Sequence, residues 1–364
     1  MSVHVGVLQV ATPGVDAGTG VNRDDLAAGK QQTGMWSLPS HLVQNIAAMA
    51  TEQDERKHLA DMRREEGSDI QVFYRLSEPP IDEAKRRLLI LLFKSTELKR
   101  LDLSFVVDEF RDDTIAALEL STLPFSLSFE KNRVPFSDSV PPPLIVRLLD
   151  NKKLTSLDAW MCKLDDDTYR AVARNTTLIE LTGVRVVGYR DGFEHLADNK
   201  TLKALGVHHY NAEIGLGPLA KVCLFNRTII AMDFEDCPGI GSEAIRIIAQ
   251  NPVLQQLRVS GTGGQDRDYA LLLSMPDLVK LDVVNCAIGD KFFSALSGNH
   301  SLRTLDISSG RVNLSRSNVQ AVRKNASLKE LTLYTNQLRD REGRALLASR
   351  KPDLKIFWEI EEVD

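Results

Sequence analysis

Cysteine is scarce in this chain, four residues in 364, and no two sit at the close spacing that a zinc site needs. Four scattered thiols argue against a disulfide-stapled secreted domain. With no basic start followed by an apolar core, they point to a reducing compartment, the cytoplasm. Long apolar runs are also missing. No uninterrupted stretch of about 18 apolar residues occurs, so no membrane span is expected. A dominant charge sign is missing too: 45 Lys and Arg stand against 50 Asp and Glu, a formal net charge of −5. That balance favours neither nucleic acid nor an anionic membrane as partner. The motifs of nucleotide and hydrolytic chemistry do not occur: no Gly-x-x-x-x-Gly-Lys-Ser/Thr, no His-Glu-x-x-His, no Gly-x-Ser-x-Gly. Gly261-Thr-Gly-Gly264 follows a strand pattern but lacks the lysine, and reads as a tight turn. No cofactor, metal or catalytic residue is expected.

One frame is present in many copies. Leu-x-x-Leu-x-Leu/Val/Ile, usually with Asn three residues ahead, recurs at Leu154-Thr-Ser-Leu157, Leu178-Ile-Glu-Leu181, Leu202-Lys-Ala-Leu205 and Leu254-Gln-Gln-Leu257-Arg-Val259. It continues at Leu278, Leu302 and Leu328, with leading leucines mostly 24 to 26 residues apart. Leu98-Lys-Arg-Leu101-Asp-Leu103 opens the array, Ile229-Ile-Ala-Met232-Asp-Phe234 fills a gap, and Leu354-Lys-Ile-Phe357 closes it. A degenerate unit has Leu127 and Phe129, with Pro124 in the place of its first leucine. A fixed period in this range means a solenoid, whose repeats bury their apolar faces only against one another. Leu-x-Leu alternation predicts a short strand in each unit, followed by helical stretches such as those starting at Ser242 and Lys291. Asn175, Asn199, Asn226, Asn251, Asn299 and Asn325 are expected to end these helices in the left-handed conformation. Val134 to Pro143, with four prolines, reads as a loop or an irregular repeat.

These residues resemble the leucine-rich repeat family in its helix-containing, ribonuclease-inhibitor-like branch. The resemblance implies an α/β solenoid over residues 76–364, a horseshoe with parallel strands inside and helices outside. In that family Asn or Cys stands three residues after the last strand position. Cys162, Cys237, Cys286 and Asn336 hold that place here. The family chiefly binds other proteins.

The N-terminal part has a different texture. Residues 1–34 lack periodicity and read as disordered. Residues 35–75 read as a small helical segment: Ser37 as cap, Pro39 in the first turn, and Leu42, Ile46 and Met49 on one apolar stripe. With Leu38-Pro39, Leu42-Val43 and the later Leu59-Ala-Asp-Met-Arg63, the segment resembles an F-box. The usual late Trp is missing, and Glu65 to Asp69 interrupt its place. That resemblance implies docking of Leu38, Pro39, Leu42, Ile46 and Met49 on the Skp-type adaptor of a cullin–RING ubiquitin ligase. An F-box followed by repeats is similar to GALA-type bacterial type III effectors, although Gly-Ala-Leu-Ala is never literal here. Ser294-Ala-Leu-Ser297 comes nearest. Such an effector would be delivered into host cytoplasm. The other reading of 35–75 is a cap on the solenoid of a plain scaffold or enzyme inhibitor.

Side chains between the strand leucines point to the concave face. They form one column with Asp102, Asp158, Asp233, Arg258, Asp282 and Asp306, and a second, two positions further along, with Trp160, Val184, His208, Ser260, Ser308 and Tyr334. Five aspartates in one column would suit a basic protein partner; the alternative is that Leu-Asp-Leu is ordinary filling of this repeat. Exposed aromatic residues resemble interface anchors. The expected protein is a monomer that captures a protein target on this face.

Overall fold

The computed structural model describes Val5–Gly6, residues 71–75, 100–106, 112–130, most of 139–334, and 353–359. Leu38, Pro39, Leu42, Ile46 and Met49 lie outside these residues, as do almost all of 1–34 and Asn336. The chain divides into two compact units, Met1–Asp138 with Lys153–Thr155, and Ser139–Lys152 with Ser156–Asp364.

The first unit holds β1 (Val5–Gly6), β2 (Gln71–Arg75), β3 (Arg100–Val106), α1 (Asp112–Leu118) and β4 (Phe125–Glu130). β2, β3 and β4 are parallel neighbours, and β1 pairs antiparallel with β2. Two sequence readings change here. Gln71–Arg75, taken as the end of a helical segment, is a strand with Val72 opposite Leu101 and Tyr74 opposite Leu103. The array therefore starts at least one strand ahead of Leu98. In β4, Phe125 stands opposite Leu101 and Leu127 opposite Leu103, so the frame lies two residues earlier than Pro124 implied. Phe125, Leu127 and Phe129 are all buried on one side, at 0%, 2% and 6% exposure. Three alternating apolar residues fit a period of two equally well when shifted by two, and only pairing chooses between the registers.

In the second unit, Ser156–Asp158 of β5 (Leu154–Asp158) pair with β6 (Glu180–Arg185). Then follow β7 (Ala204–His208), β8 (Ala231–Glu235), β9 (Gln256–Arg258), β10 (Lys280–Asp282), β11 (Thr304–Asp306), β12 (Glu330–Tyr334) and β13 (Lys355–Glu359). Each is parallel to the next in chain order. α2 (Pro142–Leu149) precedes β5, and between the strands run α3 (Asp166–Arg174), a 3-10 helix (Phe193–Asp198), α4 (Gly217–Phe225), α5 (Ser242–Ile248), α6 (Asp266–Leu272), α7 (Asp290–Gly298) and α8 (Arg316–Lys324). This is a helix-containing leucine-rich repeat solenoid. Parallel pairing requires a crossover between strands, and each crossover from β5 to β12 carries a helix that packs on its neighbours.

The core lies between the strand layer and the helices. Leu157, Leu181, Leu205, Met232, Leu257, Leu281, Leu305 and Leu331 form one inward column, each at most 3% exposed. Each such side chain contributes roughly 2 kcal/mol of hydrophobic stabilisation. Leu148, Tyr169, Phe193, Leu219, Ile245, Tyr269, Phe292 and Val319 answer from the helices, all fully or nearly fully buried.

The asparagines work differently from the expectation. Asn175, Asn199, Asn226, Asn299 and Asn325 are all extended, with φ between −63° and −77°, and not left-handed. Their side chains close the corner. Asn199 Nδ2 donates to the carbonyl of Val172 at 2.6 Å and to that of Asn175 at 3.2 Å, while its Oδ1 accepts from the N–H groups of Thr201 (2.8 Å) and Leu202 (2.6 Å). Asn226 and Asn325 repeat this four-bond pattern, each reaching the carbonyl of the preceding ladder asparagine. Thr201, Thr228 and Ser327 hydroxyls add a bond to the same carbonyls. Helix-end groups that would be buried without partners are thereby satisfied.

Two further readings shift. Pro142 and Pro143 open α2 instead of belonging to a loop, because a first helical turn has no use for the missing N–H. In β13, Ile356 pairs with Leu331 and Trp358 with Leu333, so Leu354 and Phe357 are not the frame leucines.

Candidate functional site

The strand face of the second unit is made by the residues between the leucines. Its pairing aligns Gly206, Asp233, Arg258, Asp282, Asp306, Thr332 and Phe357 in one column, with Thr182 of β6 beside Gly206. A parallel column holds Glu180, Ala204, Ala231, Gln256, Lys280, Thr304, Glu330 and Lys355. Thr182, Ala204, Gly206 and Ala231 are short where neighbouring repeats carry long side chains. The gap they leave is an open trough of about 250 Å³ over β6 to β10, bordered by Glu180, Asp233, Gln256, Arg258, Lys280 and Asp282.

Charge in the trough is mixed and partly desolvated. Arg258 turns toward β8, with Nη2 3.0 Å from Glu235 Oε1 and Nη1 3.7 Å from Asp233 Oδ2. Lys280 Nζ lies 3.3 Å from Asp282 Oδ2. The other oxygens, Asp233 Oδ1 and Asp282 Oδ1, are buried and accept no hydrogen bond. Burial pushes the Asp233 carboxyl above its ordinary range despite the pull of Arg258. Burial does the same to Asp282 despite Lys280, and neighbouring Asp306 adds to the rise.

The other aspartates of the expected strip serve their own backbone. Asp158 Oδ1 accepts from the Trp160 N–H at 3.0 Å. Asp306 Oδ1 accepts from the N–H and hydroxyl of Ser308 at 2.8 and 2.6 Å. Asp102 lies in β3 of the first unit, opposite Phe73 and Ser126. The structure thus brings together Asp233, Arg258 and Asp282, and gives Asp158 and Asp306 a turn-capping role. Tyr334 ends β12.

Beside the trough, Trp160 and His208 meet edge to face, with ring centroids 5.0 Å apart and planes at 88°. His208 Nδ1 lies 4.0 Å from Glu235 Oε2. A line of contacts therefore runs Trp160–His208–Glu235–Arg258–Asp233. Its geometry depends on Gly183, which has φ +67° and shifts the β6 register between Leu181 and Val184. A Cβ there would meet Asp158 Oδ1, and would sit 2.5 Å from Trp160 N. The bulge turns Val184 inward, fully buried, and places Arg185 opposite His208; from the alternation alone Val184 had been expected outward. Ser260 and Ser308, read as part of the outer row, are 6% and 2% exposed. Phe357, 49% exposed in the column beside Thr332, was missed because Leu354 and Phe357 mimic the repeat spacing.

The cysteines are structural. Cys237 Sγ donates to the Val207 carbonyl and Cys286 Sγ to the Val259 carbonyl, one repeat back. Burial raises the Cys162 and Cys286 thiols, and pushes Cys223 up to about 12. None is a ready nucleophile. Among the described residues no group of three or more His, Cys, Asp or Glu is arranged to hold a metal ion, and no helix is long and apolar enough to cross a membrane.

No protein-family model matches the sequence, and no curated protein is significantly similar to it. Among solved structures, a chain of the yeast Rad7–Elc1 complex is similar at 15% identity, covering 75% of this chain and 84% of that one, with a TM-score of 0.39. An internalin (inlF) of Listeria monocytogenes is similar at 12% identity, covering 89% and 95%, with a TM-score of 0.42. Similarity at this level carries nothing about partners or activity.

Proposed function

We propose that this protein is a non-enzymatic scaffold that captures a protein partner on the strand face of its second unit. The observation that carries the reading is the line from Trp160 through His208 and Glu235 to Arg258, beside a trough floored by small residues. An aromatic anchor next to partly desolvated charge is the usual composition of an interface hot spot, where truncation costs about 2 kcal/mol or more of binding. The test is selection of random displayed peptides on the full chain. Binders that weaken by about tenfold or more on Trp160→Ala support the reading; binders indifferent to it would overturn it.

The proposal extends to the N-terminal segment. Leu38, Pro39, Leu42, Ile46 and Met49 dock a Skp-type adaptor of a cullin–RING ligase, so that a captured target is ubiquitinated by proximity, as in the GALA-type effectors that the sequence resembles. The Leu-Pro, Leu-Val and Ile spacing supports this, and four buried free cysteines suit the reducing host cytoplasm in which such an effector would work. A second reading has the same segment capping the solenoid. It is favoured by β2, which lies at the segment's C-terminal end and adds a strand to the array. A pull-down with purified Skp-type adaptor separates the two. Retention by the parent and loss in a folded Leu38→Ala, Pro39→Ala variant supports docking; no retention by either leaves the cap.

A further inference from the structure

We infer that the strand face around Arg185 is a receptor for a carboxylate, so that the captured partner presents an acidic residue beside Trp160 and His208. The inference rests on the capture reading above and specifies its chemistry. Arg185 stands in β6 between Val184 and Val186, which are both fully buried, so its side chain belongs to the strand face, opposite His208. Its Nε is buried and donates to nothing. Among the described residues the rest of the guanidinium makes no hydrogen bond or ion pair either. Burial stops at Nε: the residue is only half-buried, and the terminal nitrogens, Nη1 and Nη2, stay open to an incoming acceptor. A partly desolvated cation without an acceptor is costly to the free chain and gains most when one arrives.

The resident carboxylates are committed elsewhere. Asp158 Oδ1 accepts the Trp160 N–H at 3.0 Å, and Glu235 Oε1 holds Arg258 Nη2 at 3.0 Å. Further along the face, Lys280 has its own partner in Asp282. Arg185 therefore differs from Arg258 and Lys280, whose charges are already met. His208 adds a donor beside it: its Nδ1 lies 4.0 Å from Glu235 Oε2, too far for a hydrogen bond. The bulge at Gly183 makes the arrangement, because strict alternation from Leu181 would send Arg185 inward and Val184 outward. A carboxylate suits the place best. Its two oxygens match the guanidinium fork, and one negative charge balances one positive. A dianionic phosphate would bring its excess charge toward Glu235.

The test uses peptides selected on the full chain that depend on Trp160. Such peptides are expected to be enriched in Asp and Glu, and Arg185→Gln is expected to weaken them by about tenfold. A double-mutant cycle separates the contact from any effect of the variant on folding. Changing the peptide's acidic residue to its amide should cost about tenfold on the parent and almost nothing on Arg185→Gln. Trp160-dependent peptides with no acidic enrichment, or acidic peptides whose amide forms lose as much on Arg185→Gln as on the parent, would overturn the inference while capture itself stands. A selection without Trp160-dependent binders removes capture and this inference together.

Discussion

Two polar columns run through the same repeats, and they are treated in opposite ways. At the corner between helix and strand, Asn175, Asn199, Asn226, Asn251, Asn299 and Asn325 are at most 8% exposed, and their amides bond in both directions. On the strand face, Asp233 and Asp282 each keep one buried oxygen with no donor, and burial raises both carboxyls. The corner is closed by its own chain and holds successive repeats in register. The face carries partly desolvated charge whose ion pairs engage only one oxygen of each carboxylate. That contrast separates a column closed by its own bonds from one that keeps unpaired buried acceptors.

Breaking the corner should have the largest effect. Asn199→Ala strips the partners from the Thr201 and Leu202 N–H groups and removes donors to the Val172 and Asn175 carbonyls. Buried groups left unpaired each cost roughly 1–3 kcal/mol, so a loss of about 3–5 kcal/mol is expected in urea unfolding of the full chain. A loss below about 1 kcal/mol would mean that water replaces the amide, and the corner would no longer be the closed side of the comparison.

Gly183→Val comes next. At φ +67°, with Trp160 N and the Asp158 carboxylate in the way of a Cβ, strain of about 2 kcal/mol or more is expected. Its distinguishing readout is local. The near-ultraviolet dichroism of Trp160 should change as the ring leaves His208, with the helical signal intact. An unchanged aromatic signal would show that the bulge does not set the edge-to-face contact.

Asp282→Asn tests the face from the other direction. A carboxyl whose folded pKa is raised binds its proton more readily in the native state than in the unfolded one. Stability therefore falls as pH rises from the ordinary carboxylate value through the raised one, and stays lower above it. Lys280 and Arg258 oppose this rise and Asp306 reinforces it, with burial the largest cause. The variant should melt above the parent at pH 7, and the gap should close as pH falls toward about 4. A variant that melts lower at pH 7 would mean that the Lys280 pair outweighs burial. The face would then be as structural as the corner.

How much of this was legible depends on what each residue reports. The leucine period carried the solenoid, because inward columns repeat whatever the loops do. Phe125, Phe357 and Val184 were misplaced for one reason: alternation fixes a face only when the register is known, and pairing or a bulge sets the register. The Asn-x-Thr/Ser-Leu run in Asn199-Lys-Thr201-Leu202 carried the corner chemistry, but the asparagine was assigned by its left-handed tolerance, and its side-chain bonds were overlooked. Trp160 and His208 were singled out as candidate anchors; that they touch each other was hidden, since a whole strand separates their own. The orphan oxygens of Asp233 and Asp282 were beyond reach, because Leu-Asp-Leu reads alike whether Asp caps a turn, as Asp306 does, or faces a trough.

The smallest effect is expected where the corner is already interrupted. Met275 stands three residues before Leu278, in the place of the ladder asparagine, and is 2% exposed. Met275→Asn would let an amide accept from the Leu278 N–H and donate to carbonyls at the end of α5. Two or three such bonds contribute about 1 kcal/mol each, while losing a buried Met side chain costs roughly 2 kcal/mol. The terms nearly cancel, so the urea midpoint should move by no more than about 1 kcal/mol in stability. A large loss would show that the corner around residue 275 has repacked around the thioether and is not a ladder with one rung replaced. A gain would show that amide bonding, more than apolar filling, stabilises the corner.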